Sequence, residues 1–203
     1  MQRERIVNLR DEAQVGRKVL VQGWVRTFRN DQFIALNDGS CLSSLQLVID
    51  REATDDAVKK RITTGAAIAA KGVIEASQGR GQVTELKVTD LEILGDADPE
   101  LFPIQMKRHT MEFLREKAHL RFRTSTFGAV FRVRHALNFA VHKFFTDEGF
   151  FQMHTPIITG SDAEGAGEMF QVTTLDLNNV PKAEDGSVDF AEDFSEIESE
   201  FLM

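Results

Sequence analysis

Apolar and polar residues alternate through most of the first half of the chain. "KVLVQGWVR" puts Val19, Val21, Gly23 and Val25 on one face and Leu20, Gln22 and Trp24 on the other, the period of a strand. "QFIALNDGS" continues as a second strand and runs into turn chemistry at Asn37-Asp38-Gly39-Ser40. "LSSLQLVID" brings Leu45, Leu47 and Ile49 into phase. Thr54 is placed to cap a short helix that runs to about Arg61. Strands return in "AAIAAKGVIEAS" and, after the "QGRGQ" turn, in "VTELKVTDLEIL".

Five short strands with one helix between the third and fourth is the order of an OB-fold, a small Greek-key barrel. Its exposed face commonly takes single-stranded nucleic acid or oligosaccharide. "GDADPELFP" (Gly95 to Pro103) reads as a hinge, rich in turn formers and bracketed by prolines. Beyond it the period lengthens. Phe127, Val130, Phe131, Leu137, Val141, Phe144 and Phe145 recur at helical steps between Thr124 and Glu148, with Arg132 and Lys143 off the stripe. Gly149 stands where helices stop. "FFQMHTPII" then reads as a strand limited by Pro156, and the acidic tail from Ala183 has too weak a pattern to assign structure.

Composition narrows the function classes. The chain has 203 residues, a net charge of −8 and a single cysteine, Cys41, so no intrachain disulfide can form and a reducing, cytoplasmic compartment is expected. The start "MQRERIVNLRDEA" has no apolar leader, and no apolar run approaches the ~18 residues of a membrane span. Generic adhesion to nucleic acid is disfavoured by the charge, yet the charge is uneven. Ile104 to Lys143 holds nine Lys or Arg against Glu112 and Glu116, while Ala183 to the end holds eight acids and no base. A local polyanion contact and a solvated helix face both fit that basic stretch. The five histidines show no metal-ligand spacing.

Longer motifs carry a specific resemblance. "EGFFQMHTP" looks like motif 1 of the class II aminoacyl-tRNA synthetases. "EFLREKAHLRFRTSTFGAVFRVRHAL" and "GFFQMHTPIITGSDAEGAGEMFQVTTLDL" resemble the bacterial asparaginyl-tRNA synthetases, and "VQGWVRTFRN…FIALNDGS…LQLVID" is similar to their anticodon-binding barrel. The likeness runs from about residue 16 to about residue 190. After "EGA" the chain continues with Gly167-Glu168, where aspartyl enzymes tend to have Arg-Asp, which favours the asparaginyl branch over an aspartyl-type fragment.

The resemblance implies an α+β chain: a five-stranded OB-fold barrel over residues 1–95, a hinge over 96–106, and the first part of a class II antiparallel sheet-and-helix catalytic domain over 107–203. It implies anticodon contacts at Phe33 (stacking on the middle base), Gln46 (reading its edge) and Arg29, and an amino-acid loop in which Glu164 meets the asparagine ammonium group, with Ser161 and Asp162 nearby. Asparagine, the tRNA(Asn) anticodon loop, ATP and Mg2+, and a homodimer through the motif 1 helix and strand are the partners it implies for the full-length ligase. Arg115, Arg121 and Arg123 lie near the hinge, where contact with the RNA backbone is one reading. Motifs 2 and 3, which supply the ATP-clamping arginines, do not occur in the 203 residues, so no catalytic residue is assigned and this chain alone is expected not to activate asparagine. A non-catalytic tRNA-binding module is the competing reading.

Overall fold

The computed structural model describes residues 2–79, 81–159, 169–191, 193 and 199–202. The chain divides into two compact units, Met1–Phe139 and Ala140–Met203.

The first unit is built on a closed five-stranded barrel: β1 (Lys18–Arg29), β2 (Phe33–Asn37), β3 (Leu45–Val48), β4 (Ala67–Ala76) and β5 (Thr84–Gly95), in the spatial order β1-β2-β3-β5-β4. All neighbours are antiparallel except β3 and β5, which run parallel. Helix α1 (Asp56–Arg61) lies between β3 and β4 in sequence. The two-residue period explains the closure: Val19, Val21, Val25, Ile34, Leu36, Leu45, Leu47, Ile68, Ile74 and Leu86 all point inward and are buried. Ile6 and Leu9, from a 3-10 turn before β1, join this core, and Thr84 Oγ1 donates to the Leu9 carbonyl at 2.7 Å.

Two places depart from the sequence pattern. Asp55 caps α1, its carboxylate accepting from the Ala57 N–H at 2.8 Å, whereas the Thr54 hydroxyl turns back to the Asp50 carbonyl at 2.6 Å. Two good cap formers stand side by side there, and the chain uses the one nearer the helix. In β1, one extra residue sits between Val25 and Thr27, a bulge that leaves Arg26 outside the in–out alternation.

The linker after β5 is fastened to the barrel. Thr63 Oγ1 donates to the Ala97 carbonyl at 2.7 Å, and Arg61 pairs with Asp96 through two bonds of 2.7 and 2.9 Å. The Phe102 ring lies so close over Gly65 (φ +98°) that a Cβ there would meet it at 2.6 Å. Helix α2 (Met111–Glu116) follows, capped by Thr110 and burying Leu114.

Helix α3 (Ser125–Asp147) spans 23 residues, about 35 Å at 1.5 Å per residue. It buries none of its side chains; Leu137, Phe139 and Phe144 are each about 60% exposed or more. In the second unit Gly149 (φ +88°) ends the helix and Phe150 packs edge-on against Phe145. Residues 150–156 form no strand. They are exposed, no ladder forms beside them, and the strand expected over "FFQMHTPII" shrinks to β6 (Ile158–Thr159). The tail contributes β8 (Ser199–Leu202), which pairs antiparallel with β6 on one side and β7 (Met169–Val172) on the other. Backbone pairing here needs no strong side-chain pattern, which is why the sequence did not announce it.

Asp38, in the turn after β2, ties the N-terminal segment to the barrel. Its side chain is inaccessible and accepts from the Ile6 N–H (3.0 Å), the Ser40 N–H (2.9 Å) and the Ser40 hydroxyl (2.6 Å). Burial pushes its pKa up, but the Ser40 and Ile6 hydrogen bonds and the Arg3 charge outweigh it and hold the carboxyl below its usual range. A depressed folded pKa stabilises the fold above the unfolded value near 4, and that stabilisation is lost as pH falls through the folded value. Asp38→Asn should therefore cost about 2 kcal/mol at pH 7 in denaturant titrations, with the gap to wild type closing in the acid range below pH 4.

Candidate nucleic-acid interface

Packing Ile34, Leu36, Leu45 and Leu47 inside the barrel leaves Phe33, Ala35, Gln46 and Val48 on its outer wall. Strand register arranges them in rows. Arg29 lies opposite Phe33, and Phe33 opposite Val48; the next row runs Thr27, Ala35, Gln46, Glu85. Phe33 and Gln46 are diagonal neighbours across β2 and β3, within reach of one bound planar group. Both are half-buried, and Arg29 is exposed and makes no ion pair among the described residues.

The β1–β2 hairpin closes beside this row. Asn30 (φ 54°) and Asp31 (φ 52°) both adopt the left-handed conformation, and the Gln32 N–H donates to the Arg29 carbonyl at 3.2 Å. Two left-handed residues in succession are the signature of a type I′ turn, whose twist matches that of the strands it joins. Asn and Asp tolerate that region better than other non-glycine residues.

Glu85 organises the other end. One of its carboxylate oxygens accepts from Gln46 Nε2 (3.1 Å), Ser77 Oγ (2.8 Å) and Gln82 Nε2 (3.3 Å). An ionised carboxylate only accepts, so Gln46 must turn its nitrogen toward Glu85. The remaining amide hydrogen and Oε1 are left for a ligand, in a fixed order. A pyrimidine edge offers either a carbonyl beside an N–H, as in uridine, or an amino group beside a bare nitrogen, as in cytidine. A freely turning carboxamide matches both; one held by Glu85 distinguishes them for a given ring pose. Sequence reasoning missed Glu85 because its contact depends on the parallel β3–β5 pairing, 39 residues apart. The alternation of "TELKV" does place it outward.

The amino-acid loop residues Ser161, Asp162 and Glu164 lie outside the described residues. Among the described residues, no group of three His, Cys, Asp or Glu could hold a metal ion.

Known proteins share both halves of this architecture. Residues 19–94 match the OB-fold nucleic acid binding domain, and residues 110–182 match the class II tRNA synthetases (D, K and N). The asparagine–tRNA ligase of Parabacteroides distasonis is 53% identical over 197 residues, covering 96% of this chain and 42% of that protein. That of Cytophaga hutchinsonii is 54% identical over 183 residues, 89% of this chain and 39% of the relative. In fold, the asparaginyl-tRNA synthetase of Pyrococcus horikoshii, complexed with asparaginyl-adenylate, superposes over 100% of this chain and 42% of its own, with a TM-score of 0.74 at 18% identity. The chain thus spans less than half the length of the relatives it matches.

Replacing the acceptor at the hub should be felt in stability, and replacing the half-exposed ring should not. Glu85→Leu takes the acceptor from Gln46 and Ser77, while Gln82 keeps its bond to Ser77 Oγ. It is expected to cost about 1–2 kcal/mol, while Phe33→Ala stays within about 1 kcal/mol of wild type; chemical denaturation of the two variants checks this.

Proposed function

We propose that this chain, which belongs with the asparagine–tRNA ligases over the portion it spans, carries the anticodon-reading module of such a ligase together with the first part of its catalytic domain. The reading divides it into a barrel at 1–95, a hinge at 96–106 and partial catalytic residues at 107–203. The observation that supports this best is the outer row of β1 to β3, with a half-exposed ring at Phe33 beside a carboxamide at Gln46 whose orientation Glu85 sets.

Phe33 stacks on an unpaired anticodon base, an interaction worth ~1–3 kcal/mol per base. Gln46 pairs with the Watson–Crick edge of the same base, the middle uridine, and Arg29 meets the neighbouring base or phosphate. In the whole ligase, asparagine and ATP give asparaginyl-adenylate and pyrophosphate, and the asparaginyl group then passes to the terminal ribose of tRNA(Asn). Glu164 is assigned to the α-ammonium group of asparagine, with Ser161 and Asp162 beside it. Motifs 2 and 3 do not occur in the 203 residues, so adenylation is assigned to the remainder of the ligase and this chain to RNA binding without asparagine activation.

A second copy of the chain is the proposed cover for α3. Its exposed Phe131, Leu137, Val141 and Phe144 make an apolar face far beyond what a solvated helix carries. No helix of the described residues is long and apolar enough to cross a membrane, and the ligase reading places the chain in the cytoplasm.

Binding of tRNA(Asn) and of an anticodon-substituted transcript, measured by filter retention, tests the reading. Phe33→Ala should weaken tRNA(Asn) binding roughly 10- to 100-fold, and Gln46→Ala should narrow the gap between the two transcripts. Unchanged binding in both variants would end the anticodon assignment. Asparagine-dependent pyrophosphate exchange by this chain would overturn its assignment to binding alone.

A further inference from the structure

A cleft of about 610 Å3 opens in the first unit where the β1 bulge meets the linker and the 3-10 turn Arg121–Arg123. Arg26 and Arg123 meet in its wall. Arg26, the bulged residue, donates through Nη1 to the Arg123 carbonyl. The Arg123 guanidinium carbon lies 3.5 Å from the centre of the Trp24 ring and 5.4 Å from that of Phe122. Its Nε is buried and has no hydrogen-bond partner among the described residues.

The charge of this cleft is unbalanced. Neither Arg26 nor Arg123 forms an ion pair among the described residues, and Lys107 and Arg108, both exposed, add two more cations to the lining. The one acid in the lining, Asp38, already accepts from Ile6 and Ser40 and faces Arg3 at 3.7 Å. Burial lowers the pKa of both arginines, and the charge of Arg26 lowers that of Arg123 further. Crowding half-desolvated like charges is unfavourable unless an anion joins them. A guanidinium stacked on an aromatic face keeps its planar edge free for bidentate contact, the geometry that suits a phosphate. Arg26 stands three residues from Arg29 along β1, about 10 Å at the rise of a strand.

We propose that this cleft holds a backbone phosphate of the RNA whose base lies on the Phe33 row, with Arg26 and Arg123 as its principal ligands and Lys107 and Arg108 at the rim. The site rests on the reading of the barrel as an RNA-binding module, though not on which residues read the base. Phosphate contacts position an RNA without reading its sequence, and each makes binding more salt-dependent.

The test is a salt titration of the 203-residue chain binding a hairpin RNA that copies the tRNA(Asn) anticodon arm. Arg123→Gln should reduce the slope of log K against log salt by about 0.7, equally for the cognate hairpin and one with a changed anticodon. The exposed pair Lys107→Gln/Arg108→Gln should flatten the slope too, and it decides the question if Arg123→Gln fails to fold by circular dichroism. A wild-type slope in the folded variants overturns the proposal. Phe33→Ala separates the two readings. If it weakens binding while the arginine and lysine variants keep the wild-type slope, the base row stands and the phosphate site falls. If it is neutral while they flatten the slope, the phosphate site stands and the base row falls.

Discussion

A closed barrel admits only every second residue of each strand to its interior, and the outer wall follows from that restriction. Ile34 and Leu36 from β2 and Leu45 and Leu47 from β3 fill the inside. Phe33 and Gln46 therefore face outward without any local preference of their own. A buried leucine cut back to alanine typically costs about 2–5 kcal/mol, far more than any surface contact in the row, so the core sets the register and the register sets the site. The left-handed Asn30 and Asp31 and the Glu85 hub refine what that register has already placed.

Much of this was readable in the amino acids, for a physical reason. Alternation is a local property, and the five strands and α1 emerge from short windows. What depends on distant pairing does not. The Glu85–Gln46 bond needs the parallel β3–β5 ladder, and the bulge at Arg26 appears only when β1 is laid against β2. The choice between Thr54 and Asp55 as cap turned on where the helix starts, at Asp56, which the two adjacent cap formers leave open in the sequence. "FFQMHTPII" has strand-like composition, but residues 150–156 have no ladder to join. Ser161, Asp162 and Glu164 rest on family resemblance alone.

Helix α3 shows a different limit. Its period from Phe127 to Phe145 is plain in the sequence and the helix forms over Ser125–Asp147, yet nothing in the period says what the apolar face meets. In the described residues it meets solvent: Leu137, Phe139 and Phe144 stay largely exposed. In the second unit residues 150–156 are likewise exposed, whereas the barrel packs its apolar side chains on one another.

The bulge has one more consequence, for how β1 can evolve. Its extra residue resets the count, so that Thr27 and Arg29 face outward while Phe28 packs on the core. Deleting Arg26 would remove the bulge yet keep Val25 and Phe28 inward and Thr27 and Arg29 outward, so what the extra residue adds is the placing of Arg26 itself. The strand can therefore lose this one residue without turning its wall inside out, and a lineage that did so would keep the barrel while giving up the cation at the bulge.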